Sequence, residues 1–175
     1  MSRTKLIAPL ALIGALAASA AIAQAPATAP IKAADGKVLG EASFTDAPNG
    51  VLLQVKVSGL APGWHGMHFH AVGDCSDPKF ANSGGHIQHG AMKMEHGLLN
   101  PKGPDMGDLP NLYVGADGTG QAQAFSTLAS WKGAGGRPAL ADADGSALVV
   151  HANADDGKTQ PIGGAGDRVA CAVIK

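Results

Sequence analysis

Beyond Pro30 the chain carries several short stretches in which apolar residues recur with period two rather than 3.6, set apart by Gly, Pro, Asn and Asp, and that pattern points to β-structure. Val51-Leu52-Leu53-Gln54-Val55-Lys56-Val57 alternates apolar and polar toward its end, as a half-buried strand does. Val38 to Phe44 reads as its hairpin partner, with Pro48-Asn49-Gly50 as the turn. Leu112-Tyr113-Val114 and Ala122-Gln123-Ala124-Phe125 flank a second turn, Ala116-Asp117-Gly118-Thr119-Gly120. Asp142 to Gly145 turns the chain into Ala147-Leu148-Val149-Val150-His151, and Arg168 to Ile174 reads as the last strand. No stretch gives a convincing amphipathic helix, and 25 glycines and 11 prolines are spread through the chain as turn punctuation. Many short strands with regular turns predict an all-β sandwich or barrel in a single domain.

The N-terminus reads as a targeting segment. Arg3 and Lys5 precede an apolar, Ala-rich run from Leu6 to Ala23, and Ala21-Ile22-Ala23 matches an A-x-A cleavage site. A membrane anchor is the runner-up reading, because the run approaches spanning length, but Pro9 and the many alanines argue against a stable span. No cysteine lies near the cleavage point, which excludes a lipoprotein anchor. Residues 1–23 are therefore expected to be a signal peptide that exports the chain, in a bacterium to the periplasm. Residues 24–33 are expected to be a flexible lead-in, and 34–175 the folded domain. Cleavage lowers the basic residues from 13 to 11 against 14 acidic ones, a net charge of about −3. No Lys/Arg cluster survives it, so a nucleic-acid partner is not expected.

The only two cysteines are Cys75 and Cys171. An even count in an exported chain favours one disulfide. Thiolate metal ligands are the alternative, disfavoured because neither cysteine lies in a C-x-x-C pair.

Two stretches, Gly73 to Asp108 and Ala152 to Gly166, are rich in Gly, Pro, Asp and His and read as long functional loops. Just before the first, His65-Gly66-Met67-His68-Phe69-His70 gathers three of the seven histidines. His68 and His70 are two apart, so on a strand both imidazoles share a face and form a ready pair of nitrogen ligands for copper, zinc or iron. His151 ends an apolar strand and is a candidate third. His86, His89 and His96 lie in the first loop, together with Asp105 and Asp108, which by themselves read as turn residues.

Six ordered blocks carry a resemblance: Gly63 to His70, Ser83 to His86, His96-Gly97, Gly107 to Asn111, Leu148 to His151 and Gly164 to Cys171. In them the chain closely resembles the copper/zinc superoxide dismutases, in particular the exported bacterial kind, from about Val38 to Ile174. The resemblance implies an eight-stranded Greek-key β-barrel. It implies copper on His68, His70, His86 and His151, with His86 bridging to zinc, and zinc also on His96 and Asp108. It further implies Asp155 as the carboxylate that links a copper-ligand histidine to a zinc-ligand histidine. Arg168 is implied as the active-site arginine, Cys75–Cys171 as the disulfide, and His65 as a structural histidine that bonds backbone. The implied reaction is dismutation of the superoxide anion, with His86 relaying a proton and Arg168 guiding the substrate.

The zinc half departs from the family pattern. Asp105 stands where most relatives carry a histidine, and Ile87-Gln88-His89 follows His86 where most have an aromatic residue, Asn or Asp, then Pro. Asp105 is expected to ligate zinc directly, since a carboxylate is an acceptable ligand. The alternatives are that His89 replaces the missing imidazole, or that zinc affinity is low. His89, Met92, Met94 and His96 also form a His/Met-rich patch, where thioethers favour Cu(I); a mobile, partly exposed loop is the plainer reading. A rival function for the whole chain is a non-catalytic copper-binding or copper-buffering protein on the same fold. Arg168 and the complete four-histidine set favour the enzyme. A zinc hydrolase is discarded, because no H-E-x-x-H is present. Oligomeric state has no local signature, which leaves a homodimer open.

Overall fold

The computed structural model describes residues 25–175, so the signal segment expected over 1–23 lies outside the described residues. Nine strands follow in order. They are β1 (Ala27–Lys32), β2 (Val38–Ala47), β3 (Gly50–Ser58), β4 (Gly63–His65), β5 (Met67–His70), β6 (Leu112–Val114), β7 (Thr119–Ser126), β8 (Ser146–His151) and β9 (Arg168–Ile174). Every named strand pair is antiparallel, and the spatial order is β4-β6-β7-β3-β2-β1-β9-β8-β5. The only helical pieces among the described residues are two short 3-10 turns, and no described helix is long and apolar enough to cross a membrane.

The two ends of that order, β4 and β5, are consecutive in the chain and separated only by Gly66. One stretch of backbone thus pairs with β6 on one side of the barrel and with β8 on the other, which nearly closes the sheet. The count of nine rather than the expected eight comes from this split. At Gly66 the chain changes partners: its N–H donates to Asn153 O at 2.8 Å and its carbonyl accepts from His151 N–H at 2.9 Å. A Cβ there would meet Ala165 Cβ at 3.0 Å and Asp155 Cβ at 3.2 Å, so the corner favours glycine. Between β3 and β7 the chain runs out to β4–β6 and returns beside β3, a Greek-key path.

One expectation is corrected at the N-terminus. Ala27–Lys32, within the segment read as a flexible lead-in, is strand β1, laddered to β2 along its whole length. Ala29 and Ile31 alternate inward and are buried, which the Ala/Pro-rich composition concealed. Pro30 is tolerated because β1 meets β9 only at Lys32, leaving most of one side outside a ladder.

The barrel interior is filled by inward residues from all sides, Phe44, Leu53, Phe69, Leu112, Leu148 and Ile174 among them. Fully burying side chains of this size contributes roughly 1.5–3 kcal/mol each. A smaller cluster of Phe80, Ala147, Val149 and Cys171 packs on the outer face of β8 and β9. Because of it β8 is buried along its entire length rather than on alternate residues.

Candidate metal centre

Sheet register places the histidines. In the β5–β8 ladder His68 lies opposite Val149 and His70 opposite Ala147, while Met67 and Phe69 face Val150 and Leu148 in the core. By the two-residue period His151 shares the face of His68 and His70. That face points out of the barrel, and the first loop roofs it over, leaving His68, His70 and His151 no more than 1% exposed. The loop is templated on the free edge of β5: Phe69 N–H donates to Gly107 O, Ile87 N–H to Phe69 O, and Ala71 N–H to Gly85 O. Isolated bridges pair His70 with His86 and His68 with Asp108. A Cβ at Gly107 would stand 2.3 Å from Phe69 O, so this close approach needs glycine.

His68, His70, His86 and His151 each offer one ligand atom, and these atoms lie within 4.8 Å of one another. In every ring one nitrogen is held and the other is not. His70 Nδ1 donates to Gly84 O at 2.9 Å, His151 Nδ1 to Gly166 O at 3.0 Å, and His68 Nε2 bonds Asp155 Oδ2 at 2.8 Å. His86 Nδ1 bonds Asp105 Oδ2 at 2.8 Å. The second nitrogens, His68 Nδ1, His70 Nε2, His86 Nε2 and His151 Nε2, are buried without a partner among the described residues. Four converging lone pairs left unsatisfied in a buried pocket fit a metal ion. Burial disfavours protonation of these rings: it pushes His68 down to about 4 against its Asp155 hydrogen bond, His70 down to about 2, and His151 below the usual histidine range. Neutral imidazole is the form that binds metal.

A second donor set adjoins on the far side of His86. His96 Nδ1 lies 2.5 Å from Asp108 Oδ1 and 4.0 Å from Asp105 Oδ2, and His86 Nδ1 lies 3.7 Å from Asp108 Oδ1. His96 Nδ1 and Asp108 Oδ1 are also buried without a hydrogen-bond partner among the described residues. His68, His86, His96 and Asp108 meet the same 4.8 Å proximity. His68, however, has one nitrogen on Asp155 and its other in the first set, while Asp105 Oδ2 lies beside both His86 Nδ1 and His96 Nδ1. Backbone fixes both carboxylates: Asp108 Oδ2 accepts from Gly97 N–H at 2.8 Å and Asp105 N–H at 2.9 Å, and Asp105 Oδ1 accepts from Gly107 N–H at 2.9 Å. Burial, with the neighbouring Asp105 charge, raises the Asp108 carboxyl above the usual carboxylate range despite the Gly97 hydrogen bond.

Asp155 joins the two sets. Its Oδ2 meets His68 Nε2 at 2.8 Å and its Oδ1 meets His96 Nε2 at 3.1 Å. Burial would raise this carboxyl, but the His68 and Gly157 hydrogen bonds outweigh it and hold the group down at about 2. His65 has both ring nitrogens on backbone carbonyls, His151 O at 2.7 Å and Ala61 O at 2.8 Å, so neither is available to a metal. His89 belongs to neither set, and its Nε2 donates to Gly136 O at 2.6 Å.

Arg168 reaches the site through a β-bulge. Val150 pairs with Ala170 but His151 with Arg168, so Val169 is the extra residue and Arg168 is swung beside His151. Its guanidinium donates to Phe80 O at 2.6 Å, Ser83 Oγ at 3.0 Å and Gly84 O at 2.8 Å. The disulfide Cys75–Cys171, with Cα atoms 6.0 Å apart, ties this loop to β9, and Phe80 packs against it. Sequence reasoning missed Phe80 and gave Ser83, which opens one of the resemblance blocks, no role of its own. It also missed two amide clamps, Asn111 on the Asp155 backbone and Gln160 on the His96 backbone. Single Asn and Gln residues in Gly-rich loops carry no signal of this kind.

An all-β barrel carrying two adjoining metal-donor sets around one shared imidazole is the class that this fold and site define. Residues 38–174 match the family model described as "Copper/zinc superoxide dismutase (SODC)", and the chain belongs to that family. It is 60% identical over 149 residues to a Cu-Zn superoxide dismutase of Caulobacter vibrioides, covering 85% of each chain. It is 36% identical over 171 residues to a Cu-Zn superoxide dismutase of Aquifex aeolicus, covering 94% and 98%. Among solved structures, a SOD-like protein from Bacillus subtilis superposes with a TM-score of 0.80 at 32% identity, over 86% of this chain and all of that one. The Cu/Zn superoxide dismutase of Brucella abortus superposes with a TM-score of 0.66 at 30% identity, over 86% and 100%.

Proposed function

We propose that the chain is an exported superoxide dismutase, in which two superoxide anions and two protons give dioxygen and hydrogen peroxide. The convergence of four buried, unpartnered imidazole nitrogens carries this reading. His68 Nδ1, His70 Nε2, His86 Nε2 and His151 Nε2 would hold copper. His86 Nδ1, His96 Nδ1, Asp105 and Asp108 would hold zinc, which has no redox role and would fix the loop and the bridging ring. When bound, copper supplies the one-electron chemistry by alternating between its two oxidation states.

The protein's own part is positioning, charge and protons. Arg168 keeps its charge at any working pH, and its ties to Phe80, Ser83 and Gly84 aim it beside His151, where it draws in a small anion. In the state in which His86 Nε2 does not hold copper it would carry a proton, with Asp105 and Asp108 holding the other edge of the ring, and so would deliver that proton where peroxide forms. Asp155 keeps the rings of His68 and His96 in fixed orientation. The leader read over 1–23 and the Cys75–Cys171 disulfide together support the periplasm as its compartment.

The test is superoxide dismutation by the copper- and zinc-loaded protein, with Arg168→Ala alongside. Copper-dependent activity that falls in the variant and loses its dependence on ionic strength is expected. A loaded wild type with full copper content and no dismutation would sink the enzyme reading and leave a copper-binding protein.

A further inference from the structure

The loop between His86 and His96 holds a group of soft donors that the dismutase site does not use. His89 and Met92 form an isolated antiparallel bridge around a tight turn, closed by Met92 N–H donating to His89 O at 3.1 Å. Directly bridged residues project their side chains to the same face. Met94 follows two residues after Met92 in the same turn and is only partly buried. The chain is held there by Gln88, whose Oε1 accepts from Met94 N–H at 2.7 Å.

Two independent observations point to a ligand. His89 Nε2 bonds the Gly136 carbonyl at 2.6 Å. A carbonyl can only accept, so Nε2 is the donor, and in the neutral tautomer Nδ1 keeps a free lone pair. His70 and His151 show the same arrangement, one nitrogen fixed on a carbonyl and the other kept free. The second observation concerns the thioethers. Met67 is buried in the barrel core and Met106 packs against it, but Met92 is 58% exposed and Met94 only half buried. Both described methionines outside the core therefore flank this one histidine, and both cysteines are locked in the disulfide. The soft sulfur open to a metal among the described residues is concentrated at this turn.

We infer that His89, Met92 and Met94 form an accessory Cu(I) site on the surface, separate from the four-histidine pocket. One imidazole and two thioethers are neutral, soft ligands that select Cu(I) over Zn(II) or Cu(II). The loop starts at His86, so an ion held there sits on the segment leading into the pocket, as an uptake site would.

The experiment uses the mature, disulfide-bonded protein with zinc bound and the pocket filled with reduced copper. Further Cu(I) is then offered anaerobically against a chromophoric Cu(I) chelator. About two Cu(I) per chain are expected in wild type and about one in the Met92→Leu/Met94→Leu variant, with zinc content unchanged. His151→Ala is expected to lose the pocket copper and keep the surface one, so failure of this inference and failure of the pocket assignment give different results. As a second readout, Ag(I), a redox-silent probe, should shift the methyl resonances of Met92 and Met94 and leave Met67 and Met106 in place. A single Cu(I) in wild type, or a second one retained by the double variant, overturns the inference.

Discussion

The two halves of the proposed metal centre share one ring, His86, yet are built by different means. On the copper side three of four histidines stand on paired strands, so the ladder of β5 and β8 sets their spacing. On the zinc side His96, Asp105 and Asp108 come from a loop without strands of its own, held by side chain–backbone bonds and by the edge of β5. The proposed copper donors are all imidazoles, whereas the proposed zinc donors include two carboxylates. A site made by register tolerates loop changes, while a site made by a loop can exchange a histidine for Asp105 without disturbing the barrel. The departure from the family pattern falls in the half where the fold exerts least control.

The comparison can be broken or sharpened by experiment. The largest effect is expected from His151→Ala, which removes a strand-borne donor. Pocket copper and activity should fall to the blank while zinc content stays, and loss of both metals would show that the halves are not separable. Cys171→Ala cuts the tie between the loop and β9. With 96 residues separating the cysteines, the chain-entropy model sets roughly 4–5 kcal/mol as the upper loss in denaturant unfolding. Retained Arg168 function in that variant would argue against the disulfide as the loop's anchor. Asp155→Asn touches both halves at once and should weaken copper and zinc together by about 10–100-fold in competition titrations.

A pH series on the metal-free protein separates the halves by charge. His68 is depressed from 6.5 to about 4, so between those values the unfolded chain binds a proton that the folded chain does not. Stability is therefore full above about pH 6.5 and falls with falling pH, by about 2 kcal/mol for His68 alone on going to pH 5. Stability that rises on acidification would contradict the buried, neutral state of these rings. The smallest effect is expected from Asp105→Asn, which keeps shape and removes one charge. Zinc affinity should drop by about tenfold with copper content unchanged, and unchanged zinc affinity would remove Asp105 from the donor set.

Much of this was legible in the sequence for a physical reason. Period-two alternation and turn residues are local, so the hairpin of β2 and β3, the turn before β7, and the last two strands could be read directly. The same period put His68 and His70 on one face. The strand β1 was concealed because Ala and Pro are poor strand formers, and Ala29 and Ile31 show their inward alternation only once β1 is laddered to β2 and they join the barrel core. The roles of Asp105 and Asp108 were hidden because isolated aspartates in Gly/Pro-rich loops look like turn residues.

The sequence by itself determined the β class, the single domain, the shared face of the histidine pair and, through resemblance, the identity of most of the site. Tertiary structure alone decided which face that was and what covered it. It decided that Gly66 would carry one strand across the barrel seam, that a bulge at Val169 would swing Arg168 beside His151, and that His89 would turn away to Gly136. Each of these joins residues tens of positions apart, or shifts register by one, and neither leaves a local pattern in the chain.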